Sequence, residues 1–379
     1  MQQMPTQGLG TGVSAGSGTM LTGGIMNEWL LYGANGYTGR LLAAEARRRG
    51  LAPVLAGRNR AALEALGRDL GLPVRVFGLD DPVAVVAGLA GMKLVLHCAG
   101  PFSATAAPML RACLDAGVHY TDITGEIEVF ARCHALDSAA MARGIVLLPG
   151  AGFDVVPTDG VAGLLLRELP EATALVLGFE AGGGASPGTT RTGLEGLASG
   201  GRVRRGGELV RVPLAYRTRT FDRDGKPRTA MTIPWGDLYT AWVSTGIPDI
   251  ATYLVASPRA IAAARRANWL RPLFRLPGVV SWLQRRVDRR VTGPTAEVRQ
   301  STTARIWGEV RNGRGDLREL QIETPNGYDL TVTAALGIVT RLLGAPASAG
   351  YATPTQLMGA DYVLSLPGVR VVAGSKGPR

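Results

Sequence analysis

Lysine is scarce in this chain: only Lys93, Lys226 and Lys376 among 41 basic residues, with the other 38 being arginine. A formal charge of +11 raises the question of nucleic acid. Arginine standing in for lysine throughout an alanine- and glycine-rich chain reads instead as compositional drift, and net charge bears on solubility and non-specific contact rather than on fold. No recognition helix or zinc knuckle accompanies the charge, so no specific nucleic-acid partner is expected. Cysteine is equally scarce. Cys98, Cys113 and Cys133 form no CxxC pair, which excludes a disulfide framework and leaves them as reduced, buried small hydrophobes of a cytoplasmic protein. Three scattered histidines, His97, His119 and His134, lack ligand spacing, so no metal site is expected. No apolar run reaches the roughly 18 residues of a membrane-spanning helix. Residues 1–25 hold seven glycines and no charged side chain. They lack the basic start of a signal peptide and the apolar content to fold, and are expected to be a disordered extension before a natural start at Met26.

What is present is ordinary for a soluble globular enzyme: 46% hydrophobic and 19% charged residues. A length of 379 residues exceeds a typical single core, so two domains are expected. From residue 28 to 148 short apolar runs alternate with helical periodicity. Strands are predicted at 29–32, 54–56, 74–77, 94–97, 119–122 and 145–148, with helices at 39–49, 60–70, 82–90, 104–116 and 126–142 between them. That alternation specifies α/β architecture, a Rossmann-type doubly wound parallel sheet. After Gly152 the rhythm changes to glycine clusters and β-like polar stretches. A second α+β domain with a mainly antiparallel sheet is expected, including a hairpin of 303–311 with 317–324. The expected boundaries are 26–152, 153–329, and a C-terminal helix and tail, 330–379, packing back on the first domain.

The first strand runs into Tyr-Gly-Ala-Asn-Gly-Tyr-Thr-Gly, residues 32–39. Gly33 permits the sharp turn, Gly36 lets backbone approach a pyrophosphate, and Gly39 lets the helix pack on the sheet. The helix N-terminus offers unpaired N–H groups to phosphate, with Asn35, Tyr37 and Thr38 adding side-chain contacts. Nineteen residues after Gly39, where an NAD-binding chain usually places an acid, stands Arg58. A guanidinium binds a 2′-phosphate that a carboxylate would repel, so the cofactor expected is NADP(H), with Arg60 as helper. Ala99, Gly100 and Pro101, past the fourth strand, are expected to line the nicotinamide ribose. Candidate proton donors are Tyr120, Asp122 and Asp154, with His97 a weaker choice because a lone histidine at a strand end is more often packed; Glu126 reads either as a site acid or as a helix cap. A short-chain-type reductase would need Tyr-x-x-x-Lys, but Leu89, Asp222 and Val372 stand four residues before the three lysines.

Between Arg259 and Arg290 nine arginines face one acid, Asp288, and are interleaved with apolar residues that include Trp269 and Trp282. Such a segment either packs as a surface helix pair or makes peripheral membrane contact.

These stretches resemble the saccharopine dehydrogenase-like oxidoreductases, in particular the bacterial branch that includes trans-acting enoyl reductases. The glycine motif, Ala-Gly-Arg, Ala-Gly-Pro-Phe, Ala-Gly-Val-His-Tyr-Thr-Asp-Ile-Thr-Gly-Glu and Gly-Phe-Asp-Val-Val-Pro-Thr-Asp carry the likeness, together with Ile-Pro-Trp-Gly-Asp, Ser-Thr-Gly-Ile-Pro and Thr-Pro-Asn-Gly-Tyr. The resemblance implies an NADP-binding Rossmann domain joined to an α/β substrate domain, and hydride transfer to a C=C or C=N bond of a small-molecule or lipid-like substrate. An amino-acid substrate would call for arginines in the second domain, where Arg191, Arg202, Arg204 and Arg205 are available. A non-catalytic NADP-binding sensor or adaptor is the alternative from another class, and the oligomeric state is open, a homodimer included.

Overall fold

A computed structural model describes residues 26–184, 186–188, 190–191, 200–274 and 293–374. The expected extension 1–25 and the second half of the basic segment lie outside the described residues. The first sheet contains β1 (Met26–Tyr32), β2 (Ala52–Gly57), β3 (Val74–Val76), β4 (Leu94–His97), β5 (His119–Asp122) and β6 (Val146–Leu148), in the order β6-β5-β4-β1-β2-β3. All its pairings are parallel. Side chains alternate between the two faces of a strand, and in β1 both alternations are apolar. Trp29 and Leu31 face one core with Leu94 and Leu96, while Leu30 and Tyr32 face another with Val95 and Tyr120. Helices cover both faces, Tyr37–Arg48 on the first and Phe102–Ala116 on the second. The reversal of strand order lies between β1 and β4, which is where such sheets open a crevice.

The second sheet contains β7 (Ala172–Ala181), β8 (Gly201–Arg205), β9 (Glu208–Val212), β10 (Thr218–Arg223), β11 (Lys226–Thr232), β12 (Asp249–Val255), β13 (Thr303–Asn312) and β14 (Leu317–Pro325). Its main path is β10-β11-β12-β7-β13-β14, with β8 attached to β12 and β9 to β8. Only β12 with β7 is parallel; the other described pairs are antiparallel. The hairpin expected from the sequence is β13–β14, in register from Thr303 opposite Pro325 to Arg311 opposite Leu317.

The structure departs from the sequence expectations in two places. The helix expected over 126–142 is two, Ile127–Ala135 and Asp137–Arg143, because Leu136 leaves helical geometry between them. The C-terminal part divides itself between the sheets. Helix Gly327–Gly344 packs into the core beneath β1, and β15 (Gly350–Tyr351) extends the first sheet beside β6, but β16 (Arg370–Gly374) pairs with β14 in the second. In the basic segment, helix Pro258–Phe274 buries Ile261 and leaves Arg259, Arg265 and Arg266 exposed, with Trp269 at 88% exposure. Among the described residues no helix is long and apolar enough to cross a membrane.

Candidate functional site

A cleft of about 930 Å³ opens beyond the carboxyl ends of β1, β2 and β4. Gly33, at φ +81°, makes the turn out of β1, and a Cβ there would stand 2.8 Å from the amide nitrogen of Ala99. Gly39 is buried beneath the loop, where a Cβ would overlap the carbonyl of Gly33 and approach Ala34 Cα to 2.8 Å. Gly36 differs from both: an added Cβ would meet only Gly33 O, at 3.2 Å, and Gly36 lines the cleft. The room a side chain would take at Gly36 is therefore room inside the cleft, which suits a phosphate approaching bare backbone. Helix Tyr37–Arg48 starts at that point with no side-chain cap and no acid in its first turn, leaving its N–H groups and positive dipole end to an anion. Asn35, Tyr37, Thr38, Ala99, Gly100 and Pro101 line the same cleft, and the exposed Arg58 stands at the end of β2. These residues fit a dinucleotide bearing a 2′-phosphate.

Sequence reasoning missed two walls of this cleft. Leu79 and Asp80 follow β3, and Ser186, Pro187, Gly188 and Arg191 reach over from beyond β7. Asp81, next to Asp80, caps helix Pro82–Gly88 by accepting from Val83 N at 3.0 Å. Nothing local marks Ser186 as a neighbour of a loop some 150 residues earlier.

A second cavity, about 400 Å³, adjoins the cleft and shares Thr38, Cys98, Gly100, Ser186 and Gly188 with it. Its far wall is apolar. Phe153 meets Phe179 edge-on at 6.0 Å, Phe179 lies 5.5 Å from Trp235, and Ile123 and Leu254 complete the surface. Among the described lining residues Asp154 is the one ionisable acid and no arginine is present. Asp154 is held through its backbone, its carbonyl accepting from Trp235 Nε1 at 3.0 Å, while the neighbouring Phe153 N donates to Thr331 Oγ1 at 2.9 Å. Its carboxylate makes no hydrogen bond or ion pair among the described residues, and burial pushes its pKa up to about 7.

The other candidate donors lie elsewhere. Tyr120 and Asp122 are fully buried and line neither cavity. Tyr120 donates to Asp122 Oδ2 at 2.6 Å, and Asp122 Oδ1 also accepts from the amides of Thr124 (3.0 Å) and Gly150 (2.9 Å). Burial raises the Asp122 pKa to about 6 against the pull of these donors. The pair ties β5 to the turn after β6, away from both cavities. His97 is also buried, bonded through Nε2 to Thr105 Oγ1 at 3.0 Å, and desolvation pushes its pKa down to about 3. Glu126 caps a helix, though not its own. Its two oxygens accept from Phe102 N (3.0 Å) and Ser103 N (2.6 Å) at the start of Phe102–Ala116.

The arginines expected to recognise an amino acid do not meet in the second cavity. Arg191 lines the cleft. Arg202 pairs with Glu128 at 2.6 Å, Arg204 is buried against Leu238 O and the Trp242 ring, and Arg205 bonds Tyr216 Oη.

Residues 29–148 match the saccharopine dehydrogenase NADP binding domain family. The chain is 30% identical over 227 residues to a trans-acting enoyl reductase of Mycobacterium ulcerans, covering 53% of this chain and 51% of that protein. It is 28% identical over 150 residues to a saccharopine dehydrogenase-like oxidoreductase of Mus musculus, covering 34% of this chain and 35% of that protein. The chain thus spans about half the length, or less, of these curated relatives. A saccharopine dehydrogenase (L-Glu forming) of Saccharomyces cerevisiae shares the fold, with a TM-score of 0.61 over 91% of this chain and 99% of that one, at 11% identity.

Proposed function

We propose that this chain, whose residues 29–148 form a saccharopine dehydrogenase-type NADP-binding domain, is an NADPH-dependent reductase acting on the C=C bond of an apolar, lipid-like substrate held in the second cavity. The observation that carries this reading is the composition of that cavity: an aromatic and aliphatic wall with one carboxyl group, opening onto the cleft at Gly100 and Cys98. NADPH, when bound, supplies a hydride. The chain's own part is to exclude water, orient the acceptor and provide a proton. Phe153, Phe179, Trp235 and Leu254 would hold an apolar chain by burial, at roughly 25 cal/mol per Å² removed from water. Asp154, with a pKa about 7, keeps a substantial protonated fraction at neutral pH and donates from a carboxyl oxygen to the carbon next to the one that takes the hydride.

The relatives' names support an oxidoreductase, and the absence of arginine from the described cavity wall favours an enoyl group over an amino-acid imine. The test is NADPH oxidation by the purified protein against saturated-chain enoyl thioesters of increasing length and against imines of amino acids. Oxidation that rises with chain length is expected. Oxidation with imines alone would reassign the substrate, and tight NADPH binding with no oxidation by any of them would favour a sensor.

A further inference from the structure

Tyr37, the first residue of the helix that begins at the glycine loop, is gripped by residues from far along the chain. Its hydroxyl donates to Pro294 O at 2.6 Å and accepts from Arg299 Nη1 at 3.1 Å. Arg299 is fixed in turn by Asp329, Nε to Oδ1 at 3.0 Å. The Tyr37 ring stands edge-on to Tyr328 at 4.9 Å and fills the place of a side chain at Gly293, where a Cβ would lie 2.7 Å from a ring carbon. Tyr328 Oη accepts from Ser186 N, and Ser186 borders both cavities. Burial raises the Tyr37 pKa, so the phenol keeps the proton it gives to Pro294.

This grip bears on the cleft because Tyr37 lines it and Arg299 does not. An anion site at a helix N-terminus works only while the helix start is held at a fixed distance from the opposite wall, and holding it in advance reduces the ordering that binding must impose. We propose that Arg299 is a positioning residue for the cofactor: through Tyr37 it latches the glycine loop to segments 293–299 and 326–329, and the latch sets the rate at which the nucleotide leaves the cleft. The inference rests on cofactor binding in the cleft and not on what the second cavity reduces.

The experiment is stopped-flow displacement of NADPH and, separately, NADH, read by nicotinamide fluorescence. Arg299→Gln is expected to raise the dissociation rate about two- to tenfold, the range that loss of its hydrogen bond to the Tyr37 hydroxyl supports. Both nucleotides should be affected alike, because the 2′-phosphate belongs at the Arg58 end. Arg299→Lys, which keeps a donor for the Tyr37 hydroxyl, should recover part of the effect. Tyr37→Phe should act like Arg299→Gln, and the double variant should do little more than either, since both break one network. An unchanged rate in Arg299→Gln, an effect confined to NADPH, or additive effects in the double variant would overturn the latch. Should Arg299→Gln fail to fold, unchanged rates in both Tyr37→Phe and Arg299→Lys overturn it equally. A wild-type protein that binds neither nucleotide removes the cofactor reading itself.

Discussion

Arg58 and Asp154 stand in different parts of one continuous hollow, and they were not equally legible. Arg58 follows from local grammar: its distance from the glycine loop places it at the end of β2, and the sequence names it outright. We expect Arg58→Ala to weaken NADPH about 10- to 100-fold while leaving NADH nearly unchanged, as the loss of a charge-assisted contact to phosphate would. Fluorescence titration of both nucleotides checks this, and equal losses would remove Arg58 from the 2′-phosphate. Asp154 was one of three indistinguishable acids and phenols, because what separates it from Asp122 is tertiary. Asp122 is surrounded by donors from its own strand and from the turns just past β5 and β6, whereas Asp154 is walled by Phe179, Trp235 and Leu254, residues 25 to 100 positions away. Asp154→Asn should lower turnover by about 10²- to 10⁴-fold. In the wild type, turnover should fall as pH rises past about 7 and the acid loses its proton. The same group fixes a stability trend. A carboxyl whose folded pKa is raised contributes most at low pH and loses its contribution as pH rises through about 7. The melting temperature of Asp154→Asn relative to wild type should therefore climb between pH 5 and pH 8, and a flat difference would place the carboxyl in water.

At the level of elements, the parallel sheet was readable because β1 and β4 are apolar on both faces, which only a strand covered by helices on both sides requires. The hairpin β13–β14 was readable from its glycine-bearing turn. β15 was not, since two residues carry no periodicity, and neither was β16, whose partner β14 lies some fifty residues earlier and is set by the fold rather than by local pattern. Helix Phe102–Ala116 shows the same limit at its start. Its N-cap, Pro101, offers no side-chain acceptor, and the missing cap comes from Glu126, 24 residues on. Glu126→Ala should cost about 1–2 kcal/mol and lower the melting temperature by about 1–3 °C, read in thermal denaturation. No change in melting temperature would mean that water satisfies those two amides equally well.

For the molecule as a whole, the chain's return path matters more than the boundary between its sheets. Helix Gly327–Gly344 supplies Leu330, Leu336 and Ile338 to the core that holds Trp29 and Leu94, so residues near the end of the sequence complete the nucleotide-binding half. The same tail then adds β15 to the first sheet and β16 to the second. On the other flank, helix Val156–Glu168 packs between the second sheet and the segment 354–365, with Asp159 accepting from Ser244 Oγ (2.7 Å) and Thr355 N (3.0 Å). Neither half can unfold without stripping apolar surface from the other, which is the condition for cooperative loss of both. Calorimetry should accordingly show one transition. Saturating NADPH at 100 times its dissociation constant adds about 2.7 kcal/mol to the folded state and should move that single transition up by about 3–5 °C. Two transitions, with only the lower or the upper one responding to NADPH, would show that the tail joins the halves without coupling them, and that the nucleotide is held by the first half alone.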